Sequence, residues 1–244
     1  MTTTELSASK QKIRERVWTL LEARGAVRRG VHGHIPDFDG STDAADNLAT
    51  IPAWRNAKVL KAVPDKAQLP VRVRALTEHK IVYMAVPKLA DVRPFYLLDP
   101  HAIASPYAEV ASSRGAADSA PKVSINELRP IDLVICGSVA VNRYGERVGK
   151  GAGYSDLEVA LLHDAGLLGP RTLIATTVHP LQVLDQRLPT TDHDFGVDLI
   201  ITPDDVIPCN PARRHTTIMW ADVPSDYHAS IPVLATVAPP SSER

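Results

Sequence analysis

Gly145-Glu146-Arg147-Val148-Gly149-Lys150-Gly151-Ala152-Gly153-Tyr154-Ser155-Asp156 stands between an apolar run at residues 131–136 and helix-spaced leucines at Leu157, Leu161 and Leu162. A glycine-rich turn between a buried strand and a helix is the arrangement by which α/β proteins cradle phosphate. Gly149, Gly151 and Gly153 alternate, and glycine admits positive φ and a close approach of backbone N–H groups. Successive N–H groups in such a turn form a concavity for anionic oxygens. The helix start adds partial positive charge, and Arg147 and Lys150 add full charges. Ser155 and Glu158 have the spacing of a capping box, which places the N-cap at Ser155, and Gly166 supplies the stop. A flexible surface turn is the plain alternative for three alternating glycines. The flanking strand and helix and the two cations favour the phosphate reading over it.

Two familiar phosphate motifs do not fit. A Walker A loop needs Ser or Thr after its Lys, whereas Gly151 follows Lys150, and Tyr144 stands where the first glycine belongs. The dinucleotide fingerprint has a different glycine spacing, which argues against NAD.

Outward from the loop, apolar runs at 57–63, 80–86, 131–136, 172–178 and 197–201 read as buried strands. Pro64 and Pro87 close the first two, and residues 70–79 between them read as a helix with Pro70 at its start. That alternation is the mark of βαβ units and predicts an α/β fold, with a mainly parallel sheet and helices on both faces. Residues 9–24 read as an amphipathic helix with Ile13, Val17, Leu20 and Leu21 at helical spacing and Gly25 as its stop. Lys10 and Arg14 share one face of it, a solvated basic face on spacing alone. Residues 31–54 read as a loop with one short helix at 44–48, and 105–122, rich in Ala, Ser, Gly and Pro, as an exposed, mobile excursion or lid. The chain divides into a single α/β domain at 1–223 and an extended or disordered tail at 224–244.

Composition bounds the function. The 244 residues are 44% hydrophobic, enough for a sizeable core, and the formal net charge of −1 gives no electrostatic case for nucleic acid as the main partner. Cys136 and Cys209 are far apart, so they are neither a disulfide framework nor a thiolate metal cluster, and Cys136 reads as an inert buried thiol. No apolar run is long enough to span a bilayer, and the polar residues 1–10 lack the core of a signal peptide, so a cytoplasmic location is the expectation. Asp192-His193-Asp194, with Asp198 beyond, could share Mg²⁺ with phosphate oxygens, or could be an acidic turn. His32 and His34 form a pair with no evident third ligand and read as exposed loop.

Residues 132–162, DLVICGSVAVNRYGERVGKGAGYSDLEVALL, resemble the signature of the 5-formyltetrahydrofolate cyclo-ligases, also called methenyltetrahydrofolate synthetases. Arg147, Gly149, Gly151, Gly153, Tyr154 and Asp156 match its Gly-Arg-Leu-Gly-x-Gly-x-Gly-Tyr-Tyr-Asp pattern. Gln182, Pro189, His193, Asp194 and Asp198 match a second block, and Lys10 and Arg14 match a Lys-xxx-Arg pair on the first helix, so the resemblance spans 10–203. The departures are Ser155 for the second Tyr, Leu157 for a following Arg and Val148 for Leu. The stretches at 35–38, 56–65, 68–72 and 83–87 resemble a divergent cyclo-ligase-like branch.

The resemblance implies a three-layer sandwich. It implies ATP held by Lys10, Arg14, Arg147, Val148, Gly149, Lys150, Gly151, Ala152, Gly153, Tyr154 and Ser155, with Lys150 and Arg147 as the catalytic cations and Mg²⁺ near Asp156 and Asp194. The implied reaction converts 5-formyltetrahydrofolate, a reduced folate, to 5,10-methenyltetrahydrofolate as ATP goes to ADP and phosphate. The alternatives are a diverged enzyme using ATP on another small substrate, a thiamine-related one included, and a nucleotide-binding module without turnover. Tyr83, Phe95 and Tyr96 are candidate aromatic walls for the substrate, or core packing.

Overall fold

The computed structural model describes residues 2–212 and 217–237. In chain order the elements are α1 (Thr3–Ala23), α2 (Ser41–Thr50), α3 (Pro52–Asn56), β1 (Val59–Ala62), α4 (Leu69–Thr77), β2 (Ile81–Ala85), β3 (Phe95–Leu98), α5 (Tyr107–Val110), α6 (Ser113–Ser119), β4 (Lys122–Val123) and β5 (Ile131–Cys136). They continue with β6 (Ala140–Asn142), β7 (Arg147–Val148), α7 (Tyr154–Asp164), β8 (Leu168–Thr177), β9 (Val183–Leu184), β10 (Leu199–Ile201), β11 (Val206–Pro208), α8 (Ser225–Ser230) and α9 (Leu234–Val237).

The main sheet runs β11-β10-β8-β5-β1-β2-β3-β4. Its centre, β10 through β2, is parallel. The edges β11, β3 and β4 pair antiparallel. Side chains alternate across it as a two-sided strand requires. Leu133 and Ile135 of β5, Leu60 and Ala62 of β1, and Val82 and Met84 of β2 face one core with α1, α2 and α4. Val134, Cys136, Val59, Tyr83 and Ala85 face the other, with α7. Helices therefore cover both faces, and the α/β expectation holds.

The order of connections places the site. β1 continues through α4 to β2 on one side, whereas β5 continues through α7 to β8 on the other. A crevice at the carboxyl ends of adjacent strands that diverge in this way is the standard ligand position in open α/β sheets. Asp65 follows β1 and Gly137 follows β5 at that point. Between β5 and the glycine loop the chain inserts a β6–β7 hairpin, Ala140 opposite Val148 and Val141 opposite Arg147. The loop thus leaves a small second sheet, β7-β6-β9, rather than the main strand directly.

Some expectations fail. Residues 105–122 form α5, α6 and β4, with Val110, Ala111 and Ala116 buried. The stretch is not a loose excursion, because Arg72 of α4 donates from Nε to Ala111 O at 2.7 Å. Nor is it a lid, since no residue of it lines the cavity described below. The expected tail is helical at α8 and α9 and buries Ile231, Val233 and Leu234. Its last residues, 238–244, lie outside the described residues. Apolar side chains spaced by Pro and Ser carry no periodic signal, and only the tertiary contact reveals their burial. Among the described residues no helix is long and apolar enough to cross a membrane.

Candidate active site

The carboxyl ends of β1 and β5, one face of α1, the glycine loop and the segment 217–227 enclose an open cavity of about 350 Å³. That is within the ordinary range for a small-molecule site. Lys10, Arg14, Arg147, Val148, Gly149, Lys150, Gly151, Ala152, Gly153, Tyr154, Ser155, Asp156 and Asp194, all expected at the site, line it together.

The loop geometry is glycine-dependent at two points. Gly151 has φ +102°, and a Cβ there would lie 3.1 Å from Arg14 Cζ. Gly153 has φ +70° and is the N-cap of α7. The capping box expected at Ser155 is absent: the helix starts two residues earlier, without a side-chain cap, and Ser155 is inside its first turn. Glu158 is instead buried and paired with Lys61 of β1, Nζ to Oε1 2.7 Å. Local spacing favoured the cap, but a buried cation on the central strand claimed the carboxylate. Among the described residues nothing accepts a hydrogen bond from the N–H groups of Gly149 through Gly153. Those donors, with the amino end of α7, fit an anion.

The cations are arranged in pairs with carboxylates. Lys10 Nζ meets Asp194 Oδ2 at 2.5 Å. Arg14 is buried, not part of a solvated face, and its Nε donates to Gly149 O at 2.7 Å. Burial pulls its guanidinium below the ordinary arginine value against the attraction of Asp194. Arg147 is buried under the loop, donates from Nη2 to Asp156 Oδ1 at 2.7 Å and lies 4.0 Å over the Phe195 ring. Burial opposes the Arg147 charge, yet Asp156 and its other anionic neighbours hold its pKa above the ordinary value. Lys150 reaches Asp65 Oδ1 at 3.1 Å and is 41% exposed. Asp194 is held below the ordinary carboxylate value: burial would raise it, but Lys10 and the Thr191 N–H and hydroxyl outweigh that.

Reading the sequence missed two parts of the site. Asp65 gives no signal beyond its place after a strand. Tyr227, in the expected tail, stacks on Tyr154 with centroids 5.3 Å apart and planes at 3°, and its hydroxyl donates to Ala152 O at 2.7 Å. Asp198 does not join the site; it is buried and accepts from Ile174 N in the sheet. Tyr83, Phe95 and Tyr96 are core residues and line no part of the cavity. Cys136 is fully buried, which raises its thiol pKa. His32 sits on the surface against Glu15 at 2.8 Å. Among the described residues no group of three metal-ligating side chains gathers. A cation here would therefore need ligand oxygens besides Asp156 and Asp194.

The family model described as "5-formyltetrahydrofolate cyclo-ligase family" matches residues 6–203. The chain is 36% identical over 240 residues to the methenyltetrahydrofolate synthase domain-containing protein of Mus musculus, covering 95% of this chain and 63% of that protein. It is 32% identical over 242 residues to the protein of the same name from Homo sapiens, covering 95% and 62%. The chain thus spans under two thirds of the length of the curated relatives it matches. The NMR structure of Aquifex aeolicus 5,10-methenyltetrahydrofolate synthetase shares the fold at 21% identity with a TM-score of 0.52, over 86% of this chain and 97% of that one.

Proposed function

The chain belongs to the 5-formyltetrahydrofolate cyclo-ligase family, and from that premise we propose that it is an ATP-dependent ligase that closes 5-formyltetrahydrofolate to 5,10-methenyltetrahydrofolate. The observation that carries the proposal is the convergence of Lys10, Arg14, Arg147 and Lys150 on one glycine-lined cavity at the strand ends. Phosphoryl transfer asks an enzyme for positioning and charge neutralisation more than for covalent chemistry. Lys150 is the exposed cation of the loop and would exchange Asp65 for a phosphate oxygen. Arg147, fixed by Asp156 and Phe195, would hold the loop's charge from beneath. Arg14, bonded to Gly149 O, would keep the loop open to the triphosphate.

In the proposed reaction the formyl oxygen attacks the γ-phosphorus of ATP and ADP leaves. N10 of the folate then bonds to the formyl carbon and loses its proton, and the C–O bond breaks to release phosphate. The formyl oxygen is itself the nucleophile, so no general base is needed for the first step. The donor set fits Mg²⁺ as an adjunct of the nucleotide. Asp156 pairs through Oδ1 and Asp194 through Oδ2, leaving one oxygen of each for the cation. Bound there, Mg²⁺ would neutralise phosphate charge.

The test is turnover of 5-formyltetrahydrofolate with Mg-ATP, followed by the absorbance of the methenyl product and by phosphate release. Stoichiometric formation of both is expected; nucleotide binding with no methenyl product defeats the reading. The departures at Ser155 and Leu157 favour running other formyl and amide compounds, thiamine-related ones included, in the same phosphate-release assay.

A further inference from the structure

The cavity wall that faces the cationic loop is built by residues that the family model does not reach. The match ends at residue 203, whereas Ile218, Met219, Val223, Pro224 and Tyr227 line the cavity. This strap, 218–227, belongs to the branch: the alignment with the mouse relative takes in 95% of the chain and so includes it. It is also a built wall rather than passing chain. Ile218 N–H donates to Asp164 Oδ2 at the carboxyl end of α7 at 3.0 Å. Ile218 and, just beyond the strap, Ile231 and Leu234 are buried in the core beneath that helix. At its other end Tyr227 is fastened to the loop through the Tyr154 ring and Ala152 O.

The two walls differ in chemistry. One presents Lys10, Arg14 and Lys150, and the other presents mainly aliphatic, thioether and aromatic surface, with Asp222 the one charged side chain of the strap in the lining. Met219 leaves 38% of its surface exposed and, of the three exposed large apolar side chains among the described residues, Val92, Tyr144 and Met219, is the one that lines the cavity. Methionine adapts to the flat faces of ring systems, and tyrosine offers a rigid apolar body with a polar end. A ligand complementary to both walls has an anionic part and a planar ring. We propose that strap 218–227 is the ring-binding and specificity-determining wall of this pocket, with Met219 and Tyr227 seating a flat nitrogen heterocycle of a ligand whose anionic portion lies at the loop. The inference rests on the reading of the cavity as the ATP and folate site, because each of those compounds carries such a heterocycle, the purine in one and the flat pyrimidine ring of the reduced pterin in the other.

Calorimetric titration of the full chain tests it with ATP, with inorganic tripolyphosphate, which has the anion and no ring, and with 5-formyltetrahydrofolate. Met219→Ala and Tyr227→Ala are each expected to weaken at least one ring compound roughly fivefold or more and tripolyphosphate less than about twofold. The ring compound that responds identifies the source, purine or pterin. Tyr227→Phe, which keeps the ring and loses the bond to Ala152, is expected to hold ring binding within about threefold. If Tyr227→Ala does not fold, Met219→Ala carries the test, since its side chain is partly exposed. Equal weakening of tripolyphosphate and ring compounds, or no change in either ring compound, overturns the proposal, as does a wild-type chain that binds no ring compound more tightly than tripolyphosphate. Strap-dependent ring binding without methenyl product overturns only the proposed reaction.

Discussion

Lys150, the exposed cation of the proposed phosphate site, is almost free of structural duty. It is 41% exposed and its ion pair with Asp65 is at the rim, where such pairs contribute little. Lys150→Ala is expected to leave the unfolding free energy within about 0.5 kcal/mol of wild type while ATP affinity falls about tenfold or more. Titration with ATP beside a urea melt separates the two; unchanged affinity removes Lys150 from the site. Gly151 is the opposite case. Any side chain there meets both the φ of +102° and the guanidinium of Arg14, so Gly151→Ala should cost about 1 kcal/mol or more of stability and weaken ATP as well. The place of both residues at the cavity could be expected from the sequence, because it follows from residue type within a glycine loop. Glu158 could not: its spacing from Ser155 mimics a cap, and its buried partner Lys61 lies 97 positions earlier in the chain, out of reach of any local pattern.

At the scale of elements, the pair between β1 and α7 fixes how the site helix sits on the sheet. Lys61 Nζ and Glu158 Oε1 lie 2.7 Å apart with almost no exposure, and neither atom has a well-directed hydrogen bond. Burial holds the Glu158 carboxyl above the ordinary carboxylate value in spite of Lys61. Removing one partner strands a buried charge, whereas removing both replaces it with packing. Lys61→Met should therefore lose about 3–5 kcal/mol, and Lys61→Met with Glu158→Leu should recover most of it, as read by urea unfolding. A double variant no better than the single would show the pair to be irreplaceable. Arg72 of α4 does a related job at the end of β1. It is buried and donates to the carbonyls of Val63, Pro64 and Asp65 as well as Ala111. Burial pulls its pKa down to about 10, so it stays charged at neutral pH. The turn that carries Asp65 to the cavity is thus fastened from within. The strand and helix order was legible because apolar runs and proline stops mark each βα unit, but such carbonyl clamps leave no trace in periodicity.

For the whole molecule, the α/β class and the parallel sheet follow from the alternation of apolar runs, whereas the second wall of the pocket does not. Ile218, Tyr227 and Ile231 are ordered by contacts with α7 and the loop rather than by local preference. The tie between Lys10 and Asp194 is a test at this scale. The folded Asp194 pKa is depressed, so its contribution to stability is present above its unfolded value, roughly 4, and is lost as pH falls through the lower folded value. Stability should decline in that acid window, and Asp194→Asn should flatten the decline; an unchanged acid limb would show that the tie contributes nothing. The same contact joins residues 184 positions apart. On a ribosome, helix α1 emerges before the second block of the site and must wait for it before Lys10 meets Asp194, and the strap follows both. Pocket completion therefore waits for the strap, and a compound that occupies the finished pocket would staple together segments that are far apart in the chain, slowing their separation under proteases.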